Sequence, residues 1–148
     1  MNIRKLHAHE LMQLLDLYKH LHEHDDPLPS ASAVEAVWAE VLANPRIQYL
    51  GAYVDGALVS TCTLTVVPNL TRACRPYGVI ENVVTHPTYR GQGWGQAILK
   101  HALDQARQQH CYKVMLMTGR RDETTLQFYE KAGFDRRGKQ AFVAKLAT

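Results

Sequence analysis

The sequence predicts one α+β domain of mixed α/β character, and three observations carry that prediction. Apolar residues first recur at helical spacing, over residues 8–22 and again from Ser30 to Leu42. The period then changes to two on either side of Asp55-Gly56, the signature of a hairpin. Beyond residue 78 the pattern alternates strand, helix, strand, helix, strand. With 148 residues, no internal repeat and no Pro/Gly-rich linker, residues 1–148 are expected to share one hydrophobic core.

Each element has its own signal. Ile3 to Leu6 can start a short edge strand. Residues 8–22 place Leu11, Leu14, Leu15, Tyr18 and Leu21 on one helical stripe, and HDDPLPS breaks it. Ser30 or Ser32 can cap a second helix whose buried face would be Val34, Val37, Trp38, Val41 and Leu42, with Asn44-Pro45 as its stop. IQYLGAYV and ALVSTCTLTVV flank the hairpin turn; Pro68 to Gly78 reads as a loop and GVIENVVT as a third β-rich run. From Gly95 to about His110, Ile98, Leu99, Ala102, Leu103 and Ala106 form an apolar helical face. CYKVMLMT predicts a buried strand, and Thr124 to Lys131 a short helix ended by Ala132-Gly133. AFVAKL predicts a closing strand.

Composition narrows the function classes. A formal charge of +3 suits an anionic small ligand, whereas nucleic-acid binding needs a concentrated basic face, so no nucleic-acid partner is expected. No apolar run approaches the roughly 20 residues needed to span a bilayer, and the amino terminus lacks a secretory pattern, so no membrane partner is expected. Cys62, Cys74 and Cys111 are odd in number and without a CxxC pair, which argues against a disulfide framework and for a reducing cytoplasm. Cys62 and Cys111 also lack a motif-placed His or Asp that would make either a nucleophile. His20 and His24 are one helical turn apart, but His22 points elsewhere and no HExxH motif forms, so no metal is expected.

The most informative stretch is THPTYRGQGWGQAILK, residues 85–100. Glycines between a strand and an amphipathic helix leave successive N–H groups pointing outward at the positive end of the helix dipole. Arg90 adds a full charge beside them. Such a turn suits a phosphate or pyrophosphate. GxGxG late in the chain is not a dinucleotide fingerprint, and Gly-Trp-Gly is not the Gly-Lys-Ser/Thr ending of a P-loop.

These residues resemble the GNAT superfamily of acetyl-CoA-dependent N-acetyltransferases. The family's Arg/Gln-x-x-Gly-x-Gly/Ala is met by Arg90, Gly93 and Gly95, after a strand and an x-Pro-x-x-Arg stretch in NVVTHPTYR. FYEKAGF at 128–134 is similar to a second family segment. The resemblance covers roughly residues 47–146, is strong over 79–134, and within the superfamily is nearest the glucosamine-6-phosphate N-acetyltransferase branch. It implies a GNAT-like fold, a mostly antiparallel mixed sheet flanked by helices with two central strands splayed apart. It implies acetyl-CoA as co-substrate, its pyrophosphate on the amides of Gly91, Gln92, Gly93, Trp94, Gly95 and Gln96 with Arg90 beside them, and its pantetheine arm along Val83, Val84 and Thr85. Lys131 would also approach it. The acceptor would be a small-molecule amine, an amino sugar phosphate on the branch resemblance, with a protein amine as the alternative. Many relatives are dimers, so a homodimer is implied too.

The chemistry needs a neutral amine, yet an alkyl ammonium near pKa 10 is almost wholly charged at pH 7, so a proton acceptor helps. Glu81 is the candidate: by strand alternation it faces the same side as Val83 and Thr85. Its role could equally be to bind the acceptor. The resemblance places Tyr129 where the family's Tyr meets the departing sulfur. A phenol near 10 and a thiol near 8.5 differ by about 2 kcal/mol, so a hydrogen bond that steadies the thiolate is the main expected contribution. One departure stands out. Asp122 and Thr125 occupy positions where the family often has Asn and Ala, and loss of that Asn is the sole support for a non-catalytic acyl-CoA-binding module. Arg120 and Arg121 are candidates for a phosphate of CoA or an anionic acceptor.

Overall fold

Asp55 and Gly56 both adopt positive φ, 49° and 82°, the geometry a two-residue hairpin requires. They join β2 (Ile47–Val54) to β3 (Ala57–Val67), the longest antiparallel pair of the sheet. In the computed structural model, which describes residues 1–147, this pair is the centre of a five-stranded sheet. Its strand order is β1-β2-β3-β4-β5, with β1 at Asn2–Lys5, β4 at Tyr77–Thr85 and β5 at Val114–Leu116. The first four strands run antiparallel and β5 joins β4 in parallel. The chain resolves into two compact units, Met1–Leu116 and the residues from Met117 onward.

In the first unit, α1 (Leu11–Tyr18) follows a 3-10 turn at Ala8–Glu10, and α2 is Ala31–Ala43. The helical period over residues 8–22 therefore belongs to a tighter turn, two turns of α-helix and an irregular end. His20 N–H and Leu21 N–H bond back only three residues, to Leu17 and Tyr18. Ser30 caps α2 through the Ala33 amide, as its residue type predicts. The buried stripe of α2 is narrower than expected. Trp38 is buried and donates its indole N–H to the Ala8 carbonyl at 2.9 Å, with Val34 and Val41 half-buried, while Val37 and Leu42 are exposed. The helix packs chiefly on β2 and the 3-10 turn, which one row of side chains suffices to cover.

Two cores sandwich the sheet. Leu14, Leu17, Trp38, Tyr53, Leu58 and Val84 form one, with Tyr18 and Tyr49 against it. Alternation sends Leu50, Cys62, Leu64 and Ile80 to the other face. There α4 (Trp94–Gln108) packs on β2, β3 and β4 through the buried Ile98, Leu99, Ala102 and Ala106. Each buried Ile or Leu contributes about 1.5–3 kcal/mol, enough to seat a helix that starts in glycine.

Three expectations about strands and loops change. The loop from Pro68 to Gly78 contains a single turn, α3 (Thr71–Cys74), in which Arg72, Ala73 and Cys74 are all left-handed, and β4 begins already at Tyr77. CYKVMLMT yields only the three half-buried residues of β5. AFVAKL forms no strand among the described residues, because a period of two supplies no hydrogen-bonding neighbour and the five-stranded sheet does not include it. Phe142, Val143 and Leu146 are exposed.

The second unit holds α5 (Glu123–Lys131), ended by Gly133 at φ 104° as the Ala-Gly signal predicts. Arg136 folds back to bridge Glu123 and Glu130, tying the following turn to the helix.

Candidate active site

The glycine segment owes its composition to backbone conformation. Gly91 and Gly93 sit at φ 74° and 89°, and an added Cβ at either would meet no atom within 4 Å. Close helix packing is therefore excluded as the reason for glycine there. What remains is a left-handed turn delivering the chain into α4. Ser30 caps α2 and Asp122 caps α5, but Gly93 gives α4 no side-chain cap and no acidic residue lies in its first turn. At the start of α4 the Ala97 amide bonds the Gly93 carbonyl at 3.0 Å. The positive helix end therefore keeps its anion-binding capacity.

Arg90 is used differently from the simple expectation. Its Nε–H donates to the Thr85 carbonyl at 3.0 Å and its Nη2 lies 3.5 Å from the His20 carbonyl. It thereby fixes the strand end and the end of α1 beside the turn while placing a positive charge there. His86 caps the 3-10 turn at Pro87–Tyr89 by accepting the Thr88 amide, and its ring meets His20 edge-on at 4.8 Å. Gln92 donates to the Thr88 carbonyl. This framework makes the turn a built feature of the fold.

Upstream of the turn, pairing between β4 and β5 stops at Ile80 and Leu116. Glu81 to Thr85 have no strand beside them on that side among the described residues. Val83, Val84 and Thr85 thus belong to an open strand edge that leads directly into the glycine turn. An extended ligand could add to that edge as a further strand would.

The alternation expected for Glu81 is overturned. Thr63 pairs with Glu81 but Thr61 pairs with Val84, so β4 carries one extra residue there, and Asn82 takes φ 54°. This β-bulge resets the period. Glu81 shares its face with Thr63 and Tyr49, the α1 side, whereas Thr85 faces the other way and meets Ser60 at 2.8 Å. The exposed Glu81 carboxylate and the mostly buried Thr85 hydroxyl therefore lie on opposite sides of β4. The open edge and the acid are adjacent along one strand, with the bulge between them.

In the second unit Tyr129 is half-buried, its ring edge-on to Phe128 at 5.0 Å and to Phe134 at 6.4 Å. Those contacts hold the ring through its neighbours in FYEKAGF. Lys131 is exposed in the last turn of α5. Asp122 is explained by its local geometry: it accepts the Thr125 amide and hydroxyl and pairs with Arg120. The Thr125 bonds hold its carboxyl below the usual carboxylate range. Asp and Thr at these two positions form a helix cap. Arg120 is thereby engaged by Asp122, and Arg121 is exposed.

Sequence reasoning missed a cationic group in the first unit. Arg72 and Arg75 lie over the Tyr112 ring at 5.9 and 5.6 Å, and Lys113 lies over Tyr112 and Tyr77 at 5.3 and 5.5 Å. None of the three has a carboxylate partner among the described residues. The three left-handed residues of α3, which bring Arg72 there, carry no glycine or Asn signal in the sequence.

The profile of the Acetyltransferase (GNAT) family matches residues 9–134. A glucosamine 6-phosphate N-acetyltransferase from Trypanosoma brucei brucei is 35% identical over 137 residues, covering 90% of this chain and 88% of that protein. Among solved structures, a putative acetyltransferase from Agrobacterium tumefaciens str. C58 superposes with a TM-score of 0.92 at 42% identity, over 99% of this chain and 100% of the other. A glucosamine-6-phosphate N-acetyltransferase from Arabidopsis thaliana has the same fold, with a TM-score of 0.84 at 21% identity over 98% and 97% of the two chains.

Proposed function

Since the chain belongs to the GNAT acetyltransferase family, whose members use acetyl-CoA as co-substrate, we propose that it acetylates the amine of glucosamine 6-phosphate. The observation that carries the donor half is the uncapped left-handed glycine turn at the start of α4, continuous with the open edge of β4. Amides of Gly91 to Gln96 suit the pyrophosphate, and the backbone of Val83 to Thr85 suits the amide-bearing pantetheine arm. The acceptor half rests on the trypanosomal relative and on Arg72, Arg75 and Lys113, cations that suit a sugar phosphate.

In the reaction the neutral amine attacks the thioester carbonyl. The N–C bond forms, the C–S bond breaks with its electron pair on sulfur, and the nitrogen gives up one proton while the thiolate gains one. Glu81, on the exposed α1 side of the bulge, is the residue proposed to take the amine's proton or to hold the acceptor in place. Tyr129 is proposed to donate a hydrogen bond to the thiolate, with its ring steadied by Phe128 and Phe134. Asp122 no longer favours a non-catalytic module, because its carboxylate has a structural task of its own.

The test is CoA release from acetyl-CoA with glucosamine 6-phosphate, glucosamine and a set of unphosphorylated amines, alongside calorimetry of acetyl-CoA binding. The expected result is turnover with a clear preference for the phosphorylated sugar, reduced by Arg75→Ala. Failure to bind acetyl-CoA overturns the whole reading. Equal use of glucosamine and its phosphate overturns the acceptor.

A further inference from the structure

The segment that leads into the glycine turn starts on a histidine, and the geometry commits that ring to one protonation state. His86 follows β4 directly, and its backbone N–H donates to the Val59 carbonyl at 2.8 Å. Its Nδ1 accepts the Thr88 amide at 3.1 Å, and its carbonyl accepts the Tyr89 amide at 2.9 Å. Pro87 has no N–H, so these are the first two backbone donors of the 3-10 turn, and both end on His86. The Thr88 carbonyl in turn receives the Gln92 side chain at 3.1 Å, which ties the 3-10 turn to the glycines on either side of Gln92.

An imidazole accepts at Nδ1 only while neutral, with its proton on Nε2. The imidazolium donates from both nitrogens and would face the Thr88 N–H with another N–H. Ser30 and Asp122 cap their helices through oxygens that go on accepting across the neutral range. Histidine is the one side chain whose charge ordinarily changes between about pH 5 and 8. The half-buried His86 ring meets His20 edge-on at 4.8 Å and Tyr89 at 6.0 Å. The ionisable groups around it are therefore His20, from beyond the end of α1, and Tyr89 and Arg90 from its own segment, the Arg90 guanidinium reaching the His20 carbonyl. No carboxylate pairs with His86 among the described residues.

We propose that neutral His86 is a positioning residue for acetyl-CoA: by accepting the Thr88 amide it holds the Pro87–Tyr89 turn that aims the amides of Gly91 to Gln96, and its protonation releases them. The inference rests on the proposed seat of the donor and adds a pH dependence to it. The sign of that dependence separates a cap from a counter-charge. An imidazolium that only attracted the pyrophosphate would tighten binding toward acid, whereas a cap that must stay neutral weakens it.

Calorimetric titration with acetyl-CoA at pH 7.5 and pH 5.5 tests this on the natural protein, His86→Asn and His86→Ala, with thermal melts at both pH values to confirm folding. Asn can accept the same amide and does not titrate. At pH 7.5 His86→Asn should bind as the natural protein does and His86→Ala about fivefold more weakly, the effect of one lost cap. Between pH 7.5 and pH 5.5 the natural protein should lose about fivefold more affinity than His86→Asn, a comparison in which the ligand's own titration cancels. Three outcomes overturn the proposal. The first is equal pH dependence in those two proteins, which moves the titration to His20 or another group. The second is a natural protein that gains affinity toward acid relative to His86→Asn, which makes the ring a counter-charge. The third is His86→Ala binding like the natural protein at pH 7.5. Failure of the donor reading shows separately, as a natural protein that binds no acetyl-CoA at pH 7.5, and takes this inference with it.

Discussion

Glu10 is 3% exposed and receives four donors: both Nη atoms of Arg4, the Tyr53 hydroxyl and the His7 amide. The Arg4 bonds, chiefly, hold its carboxyl at about 2, below its ordinary 4.5. A depressed folded value means the stabilisation is complete above about 4.5 and is lost as pH falls toward 2, where the unfolded chain binds the extra proton first. Glu10→Gln should lower stability near neutral pH by about 2–3 kcal/mol and flatten this acid dependence. Urea midpoints measured at pH 6 and pH 3 check both effects. In the second unit, Tyr129→Phe retains the ring contacts with Phe128 and Phe134 and removes only the hydroxyl. It should lower kcat about a hundredfold with little change in acetyl-CoA affinity; an unchanged kcat removes Tyr129 from the chemistry. At this scale the candidate residues could be named from the sequence, but the side of β4 on which Glu81 lies could not. A one-residue bulge leaves no mark in an apolar-polar pattern already as mixed as YGVIENVVT.

Among elements, α4 combines two features that pull apart. Its apolar face is fully buried, which anchors it, while its start is glycine at positive φ without a cap, which costs conformational entropy. Gly93→Ala separates them. Open space surrounds the position, so the penalty is conformational, about 1–2 kcal/mol. Acetyl-CoA binding should weaken at least about tenfold as the turn relaxes. Gly56→Ala, at a similar φ in the hairpin, is the control: it should destabilise comparably and leave binding intact, as calorimetry and thermal melts would report. The helix and hairpin elements were legible because their signals are local: Ser30 as a cap, Gly133 as a stop, Asp55-Gly56 as a turn. The left-handed run Arg72-Ala73-Cys74 was not, since those residue types do not favour that conformation.

At the scale of the whole molecule the carboxyl-terminal stretch matters most. Phe142, Val143 and Leu146 are 91%, 72% and 86% exposed on a segment with strand-like spacing. Large apolar side chains exposed together mark an interaction surface. The homodimer implied by the family resemblance would cover them. Sedimentation should therefore give twice the chain mass, and the double substitution Phe142→Ser/Val143→Ser should shift the protein toward monomer. A monomeric natural protein at micromolar concentration would reject this.

The amino-acid sequence by itself determined the order of the helices and the main strands, the hairpin, and a turn whose glycines precede an amphipathic helix. Each of these depends on neighbours within one or two turns of chain, where residue type dictates φ, capping and periodicity. Tertiary structure alone decided where β5 stops pairing with β4, which face carries Glu81, and how Arg72, Arg75 and Lys113 gather around Tyr112. Those are properties of register and of contacts between residues far apart in the chain, which no local pattern encodes.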